Sequence, residues 1–585
     1  MIKSKDLNYL SNFYHYLKPY KKSTVIGFLM MPFSVACNLL LPWLMIKVID
    51  EHLTSAKLEG LTVLIGMMLL VLVVNYFADA FYAYLLKRSG QQAVFDMRMA
   101  LFKRVLALPR SYFDKTPAGV TLSRLTSDLE AIGESFVTGI LSLIKDSINT
   151  IAILGFMFFI HWQLTLVVLL VFPPILFLTN FIRNKLRKQY GASRVALAKG
   201  TGYLQECLLG VKTVQLYNAE ATVEKRYESY VKEFMQAQLK TNKYDASLFS
   251  IITGVTSITI GLLIWYGSGK VLQGVVSLGV LITFINMLEK VFVPLREFTA
   301  QITAIQSSLA AFEHVDELFV SPEEEEGRKL LSEEDIGTAL KTFNSLEFNK
   351  VSFRYNEKGP YVLKNISFSL GRGEQLALVG TTGSGKSTII RLINKVYLDY
   401  EGSILLNGIE LSSIPKACMI QLFSLMQQDV FLFEKDIAFN IALGNKNITD
   451  DKVIAAAKYV YAHDLIQTLP DQYQFQLKNN GSNLSAGQAQ LVSFARSIAQ
   501  GAQVMILDEA TSSVDSITEG LIQKAIAHLF QEKTVIAIAH RLSTIRTADQ
   551  ILVLDQGRII EQGNHEALLA LKGTYAELLK SDIEK

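Results

Sequence analysis

Leu376-Ala377-Leu378-Val379-Gly380-Thr381-Thr382-Gly383-Ser384-Gly385-Lys386-Ser387-Thr388 reads as an apolar strand, a glycine-rich loop and the start of a helix. Gly380 to Ser387 fit the pattern G-x-x-x-x-G-K-[ST]. Glycines in such a loop let backbone N–H groups turn inward on phosphate oxygens, and the following helix adds its positive N-terminal end. Gly380, Thr381, Thr382, Gly383, Ser384, Gly385 and Thr388 therefore frame a nucleotide site. In it Lys386 reaches the β- and γ-phosphates and Ser387 ligates Mg²⁺. A glycine-rich turn alone carries little; strand, loop and helix in that order carry much more.

Outward from this loop, from about residue 346 on, short β-rich runs alternate with helical ones. Residues 375–379 precede helical 388–397, and 504–507 precede helical 517–529; further strands read at 534–539 and 551–554. That alternation predicts a parallel sheet flanked by helices. Asp508 ends the apolar run Val504-Met505-Ile506-Leu507. A carboxylate there holds Mg²⁺, usually through water. Glu509 points elsewhere along the strand edge, where it can polarise an attacking water as general base. An isolated Asp-Glu pair would read only as a solvated strand end.

The first half has a different texture. Of the 585 residues 50% are hydrophobic, which suggests membrane spans, and the length implies at least two domains. Apolar segments at 24–49, 61–86, 136–160, 164–182, 246–266 and 276–298 each have about the length that crosses a ~30 Å hydrocarbon core. Glu289 and Lys290 interrupt the last. Lys and Arg crowd the leading segment and the connections after spans two and four, so the N-terminus and everything after span six are expected to be cytoplasmic. Residues 91–108 and 185–244 keep helical apolar spacing, so spans two to five are expected to run on as helices and turn at two tips. The first tip is expected at Tyr112 to Gly119 and the second near Tyr217 to Glu220.

Lys21-Lys22 before an apolar run, with Ser34-Val35-Ala36-Cys37 inside it, has the look of a lipoprotein leader. The run continues to Ile49, too long for a signal core, so no cleavage is expected. Net charge is +3, which implies no nucleic-acid partner. Cys37, Cys207 and Cys418 form neither a disulfide framework nor a metal cluster. Glu323 to Glu326 lie in an acidic linker. The expected division is therefore a membrane domain over 1–320, a linker over 321–345 and a nucleotide-binding domain over 346–585.

Leu484-Ser485-Ala486-Gly487-Gln488 stands just upstream of the strand ending Asp508-Glu509. This pairing resembles the signature of the ATP-binding cassette (ABC) ATPases. The resemblance extends to a full ordered set of motifs over about 346–579. Tyr355 looks like the ring that stacks on adenine. Gln428, before Asp429-Val430-Phe431-Leu432-Phe433, looks like the glutamine that contacts Mg²⁺ and the water. Asp515 looks like part of the loop that crosses the dimer, and His540 like the γ-phosphate histidine. In the family the signature, here Ser485, Ala486, Gly487 and Gln488, closes on ATP held by the other cassette, which implies a half-transporter that dimerises. Ala486 stands where glycine is commoner. Asn479 stands where related exporters carry an acidic residue thought to touch the membrane-domain tips.

Six spans extended into the cytoplasm resemble the membrane domain of B-family (type IV) exporters, here closest to bacterial multidrug-resistance-like half-transporters. The implied fold is a membrane α-helical domain of six transmembrane helices fused to an α/β P-loop domain. The implied function is ATP-driven export of a hydrophobic or amphipathic drug or lipid, with ATP and Mg²⁺ as cofactors. The partners are a second half-transporter, as homodimer or heterodimer, and the lipid bilayer. The expected location is a bacterial inner membrane. An ATP-gated channel or regulatory subunit is the alternative. Asp79, Lys145, Asp146, Glu289 and Lys290 lie within apolar segments and are candidates for the substrate path, since ionisable groups there are costly without a role. The other reading is that Lys145-Asp146 and Glu289-Lys290 pair structurally, or sit on cytoplasmic continuations of the spans.

Overall fold

In the computed structural model the apolar half of the chain is almost entirely helix. The structure describes residues 4–55, 58–322, 330–331, 340–356, 358–426, 430–508, 516–538 and 546–583. The chain divides into two units, Met1–Ala107 with Pro117–Ser321, and Leu108–Thr116 with Pro322–Lys585.

In the first unit, helices run over Leu61–Ala107, Trp162–Leu209, Glu220–Leu272 and Leu278–Val320, following Ser4–Leu17 and Lys21–Lys47. At 1.5 Å per residue the 47-residue helix is about 70 Å long, twice a hydrocarbon core. Spans two to five thus continue as helices beyond their apolar parts, as the spacing predicts. Ser11–Leu53, Leu61–Ala107, Ala118–Ile160, Trp162–Leu209 and Glu220–Leu272 are long and apolar enough to cross a membrane. The sixth helix, Leu278–Val320, is 43 residues long and carries Glu289 and Lys290. Leu70, Phe77, Phe159, Leu170, Phe177 and Trp265 are more than half exposed, an outward apolar surface suited to lipid.

The second tip contains the expected break at residues 217–219, where Asn218 is left-handed with φ 51°, and an earlier break at Gly210. Helix Trp162–Leu209 ends at Gly210, and a short helix Val211–Leu216 makes the turn before Glu220.

The intramembrane charges do not pair with their sequence neighbours. Lys145 Nζ lies 3.3 Å from Asp79 Oδ1 and 4.7 Å from the centre of the Tyr82 ring. Asp79 also accepts from the Ser34 hydroxyl. Asp146 accepts from Gln301 Nε2 at 2.7 Å. Consecutive residues on a helix face different directions, so each takes a partner from another helix. Glu289 and Lys290 are exposed. Asp79→Ala is expected to destabilise the unit by about 2 kcal/mol, because Lys145 loses its counter-charge in an apolar setting. The double variant with Lys145→Ala should recover most of that loss. Thermal unfolding in detergent measures both, and strictly additive losses would contradict the pairing.

Among the described residues the second unit contains two sheets. β1 (Ser345–Phe353), β2 (Leu363–Gly371), β4 (Glu401–Leu406) and β5 (Ile409–Glu410) form a four-stranded antiparallel sheet in the order β2-β1-β4-β5. The larger sheet has the order β10-β9-β3-β8-β7-β6. It comprises β3 (Gln375–Gly380), β6 (Phe423–Met426), β7 (Val504–Asp508), β8 (Thr534–Ile538), β9 (Gln550–Asp555) and β10 (Arg558–Gly563). Only β10 runs antiparallel to its neighbour there. Leu376 and Leu378 of β3 pack into the core shared with the small sheet, while Ala377 and Val379 pack toward the helical side. Burial on both faces explains why these strands read as continuous apolar runs.

Candidate active site

Parallel pairing brings the C-terminal ends of β3, β6, β7 and β8 to one edge: Met426 pairs with Leu507, Asp508 with Ile538, and Leu378 with Ile538. Loops that leave such an edge form the ligand crevice of open α/β sheets. Asp508 is half-buried there at the end of β7. Gln428, Glu509, Asp515 and His540 lie outside the described residues.

The phosphate loop follows β3. Gly380 has φ +150°, and a Cβ there would sit 2.2 Å from the Leu554 carbonyl oxygen. The loop can pass β9 only without a side chain. Gly380→Ala is therefore expected to cost about 2–4 kcal/mol and to lower the unfolding temperature by several degrees. Unchanged unfolding would contradict the close approach. Gly385, φ +109°, precedes helix Lys386–Ile393 as its N-cap. Lys386 is buried, and its Nζ donates to the carbonyls of Gly380 at 2.7 Å and Thr381 at 3.0 Å. The ammonium is thereby held over the loop mouth.

The loop's own chemistry fits a polyphosphate. Ser384 Oγ is buried and has no hydrogen-bond partner among the described residues. Nothing lies within 4 Å of the position a Cβ would take at Gly383, so the loop is open at its tip. An orphaned hydroxyl, a lysine ammonium and a helix N-terminus converge there, which is the donor set a phosphate needs.

Tyr355 packs in a triangle of rings with Phe353 and Tyr397, centroids 5.0 to 5.4 Å apart. Its hydroxyl lies 2.9 Å from Thr388 Oγ1 and accepts from Arg391 Nη1 at 3.1 Å. The ring is thus tied to the phosphate-loop helix, which its sequence position alone did not reveal.

The signature helix, Ala486–Ala499, is capped by Ser485. Ser485 Oγ accepts from Gln488 N–H at 3.2 Å, and Gln488 Oε1 accepts from Ser485 N–H at 2.9 Å. This reciprocal capping box sets the helix start. Ser485 and Ala486 are exposed and Gly487 is buried. Two residues missed in the sequence hold the helix from behind. Arg496 donates to the carbonyls of Asn440, at 2.8 Å from Nε, and Phe431, at 3.0 Å from Nη1. Asn440 is fully buried, and its Nδ2 donates to the Phe433 and Asp436 carbonyls. A buried asparagine satisfied by backbone is a positioning device that leaves no local sequence signal. Before the signature, Asn479 N–H donates to Glu434 Oε1 at 3.1 Å. Asn479, Asn480 and Gly481 are left-handed in succession, with φ of 44°, 59° and 85°.

Comparison with known proteins decides the family. Residues 24–295 match the model of the ABC transporter transmembrane region, and 363–512 a second model, described as ABC transporter. The Bacillus subtilis ABC transporter ATP-binding protein YknV is 33% identical over 572 residues, 97% of this chain and 93% of its own. The chain belongs to the ABC transporter family. A putative multidrug export ATP-binding/permease protein of Staphylococcus aureus is 32% identical, covering 97% of this ABC transporter and 99% of itself. An ATP-dependent lipid A-core flippase of Albidiferax ferrireducens is also 32% identical, with 96% of each chain covered. The solved structure of a bacterial Atm1-family ABC exporter with ATP bound is similar at a TM-score of 0.77, with 25% identity, 96% of this chain and 98% of that one. This ABC transporter is thus a multi-pass membrane protein of the exporter type, its helical membrane region joined to a nucleotide-binding domain.

Proposed function

We propose that this chain is one half of a dimeric exporter that hydrolyses ATP to move a drug or lipid of amphipathic character across a bacterial inner membrane. The observation that carries this reading is the pair of incomplete phosphate sites in one cassette. The phosphate loop has an orphaned Ser384 hydroxyl, and the signature helix has Ser485 exposed at a capped N-terminus. Each is what the other needs from a second cassette. Relatives named for multidrug export and lipid A flipping support the amphipathic class.

In this reading residues 1–320 are the membrane domain, 321–345 the linker and 346–585 the cassette. Tyr355 stacks on adenine, Lys386 and the loop amides hold the phosphates, and Ser387, Asp508 and Gln428 would hold Mg²⁺. When bound, the metal neutralises phosphate charge as the γ-phosphoryl leaves. Glu509 takes the proton of the attacking water, and His540 steadies the γ-phosphate. Asp515 crosses to the partner. The N-terminus and cassette face the cytoplasm.

The Asp79–Lys145 pair, Asp146, Glu289 and Lys290 mark the substrate path. A cavity of about 210 Å³ lined by Tyr82, Lys87, Lys145, Asp146 and Glu297 supports it. The test is a vesicle assay with the purified protein. ATP-dependent uptake of a fluorescent amphiphile or lipid into inside-out vesicles is expected. Ion current without amphiphile movement would replace export by a gated channel.

A further inference from the structure

The tip segment Leu108–Thr116 belongs to the same unit as the cassette. Within it, helix Arg110–Lys115 begins after Pro109 and carries Asp114 on its last turn. Asp114 Oδ2 accepts from the Tyr397 hydroxyl at 2.5 Å, and its Oδ1 accepts from Arg110 Nε at 3.3 Å. Tyr397 is also one corner of the ring triangle with Phe353 and Tyr355. Its ring meets Tyr355 nearly edge-on, at 5.2 Å and 79°.

The two tyrosine hydroxyls of this cluster point to different machinery. Tyr355 is bound to the phosphate-loop helix through Thr388 and Arg391. Tyr397 is bound to the tip through Asp114. Burial, and then the Asp114 carboxylate, push the Tyr397 hydroxyl up to about 12, so it stays a proton donor at any working pH. Asp114 is therefore always offered a hydrogen rather than a second negative charge.

We propose that Tyr397 is a positioning residue that reports adenine occupancy on Tyr355 to Asp114 of the tip. The proposal rests on Tyr355 being the adenine platform. A base laid on the face of Tyr355 fixes that ring, and an edge-on neighbour 5.2 Å away must hold or shift with it. The Tyr397 hydroxyl passes that constraint to Asp114 through a charge-assisted hydrogen bond, the stronger kind. The signal comes from the base, and it is separate from any closure on the γ-phosphate.

The experiment is hydrogen exchange of the 108–116 peptide in the full chain in nanodiscs, with a non-hydrolysable ATP analogue or inorganic tripolyphosphate. The ATP analogue is expected to slow exchange at the tip in the wild type, and tripolyphosphate to leave it unchanged. Tyr397→Phe keeps the ring, so analogue affinity should stay within about twofold while tip protection falls about tenfold, the scale of a lost charge-assisted hydrogen bond. Asp114→Asn should do the same with all three rings intact, and the double variant should lose no more than either single one. Full tip protection in both single variants, or equal protection by tripolyphosphate, would overturn the proposal. So would affinity falling in step with protection, which is what a merely structural role gives. Absence of analogue binding in the wild type would instead remove the nucleotide-site reading beneath it.

Discussion

Glu509→Gln is expected to keep nucleotide binding within about twofold and to lower ATP turnover by about 10²–10⁴-fold, the usual span of a general base. Glutamine matches the shape of glutamate and accepts a hydrogen bond, but it cannot take a proton from water. The preceding residue, Asp508, ends β7 in register with Ile538 of β8, so the strand that delivers residue 509 is anchored on its neighbour. The substitution therefore removes chemistry without moving the frame. Asp508→Asn should differ in kind: if Asp508 holds Mg²⁺ as proposed, the substitution lowers apparent affinity for Mg·ATP as well. Phosphate release and equilibrium binding of a fluorescent ATP analogue, measured on the same preparations, separate the two. Turnover in Glu509→Gln within a few-fold of wild type would assign the base to another group.

What the sequence disclosed, and what it did not, follows the range of the interactions. The phosphate loop is legible because strand, glycines, lysine and helix are consecutive, and its chemistry is largely backbone. The β3, β7 and β9 strands are legible because burial on both faces leaves unbroken apolar runs. The helices beyond the spans are legible because apolar spacing continues after the hydrophobic stretch ends. Pairings between distant elements are not. Tyr397 and Asp114 are 283 positions apart, and neither has a local pattern that announces the other. Asp79 and Lys145 are 66 apart, and no local spacing links one to the other. Arg496 and Asn440 carry the signature helix through backbone carbonyls, which any residue supplies, so no side-chain motif marks them. The second tip is legible in its polar cluster, where Asn218 is left-handed with φ 51°, while the earlier break at Gly210 carries no comparable local signal.

Two inactive chains are expected to restore activity when mixed, if the signature serves a partner's ATP. Ser485 is the exposed cap of the signature helix, and its bond to Gln488 N–H leaves the hydroxyl at the positive helix end. Ser485→Arg places a long cation there and blocks approach of a second cassette, yet leaves its own phosphate loop intact. Lys386→Ala does the reverse: it empties the loop of its ammonium and leaves the signature whole. Each variant alone should be inactive, because every composite site in a symmetric pair carries the defect. In a co-expressed mixture about half the dimers combine the two, and each of those has one intact site, so independent sites give about a quarter of wild-type turnover. Nucleotide binding should show the asymmetry directly, retained by the Ser485 variant and lost by the Lys386 variant. If tagged heterodimers are isolated and still bind nucleotide at one site without turnover, the two sites fire only together. If Ser485→Arg alone keeps full activity, the helix N-terminus does not meet a phosphate, and the half-site reading of this cassette fails.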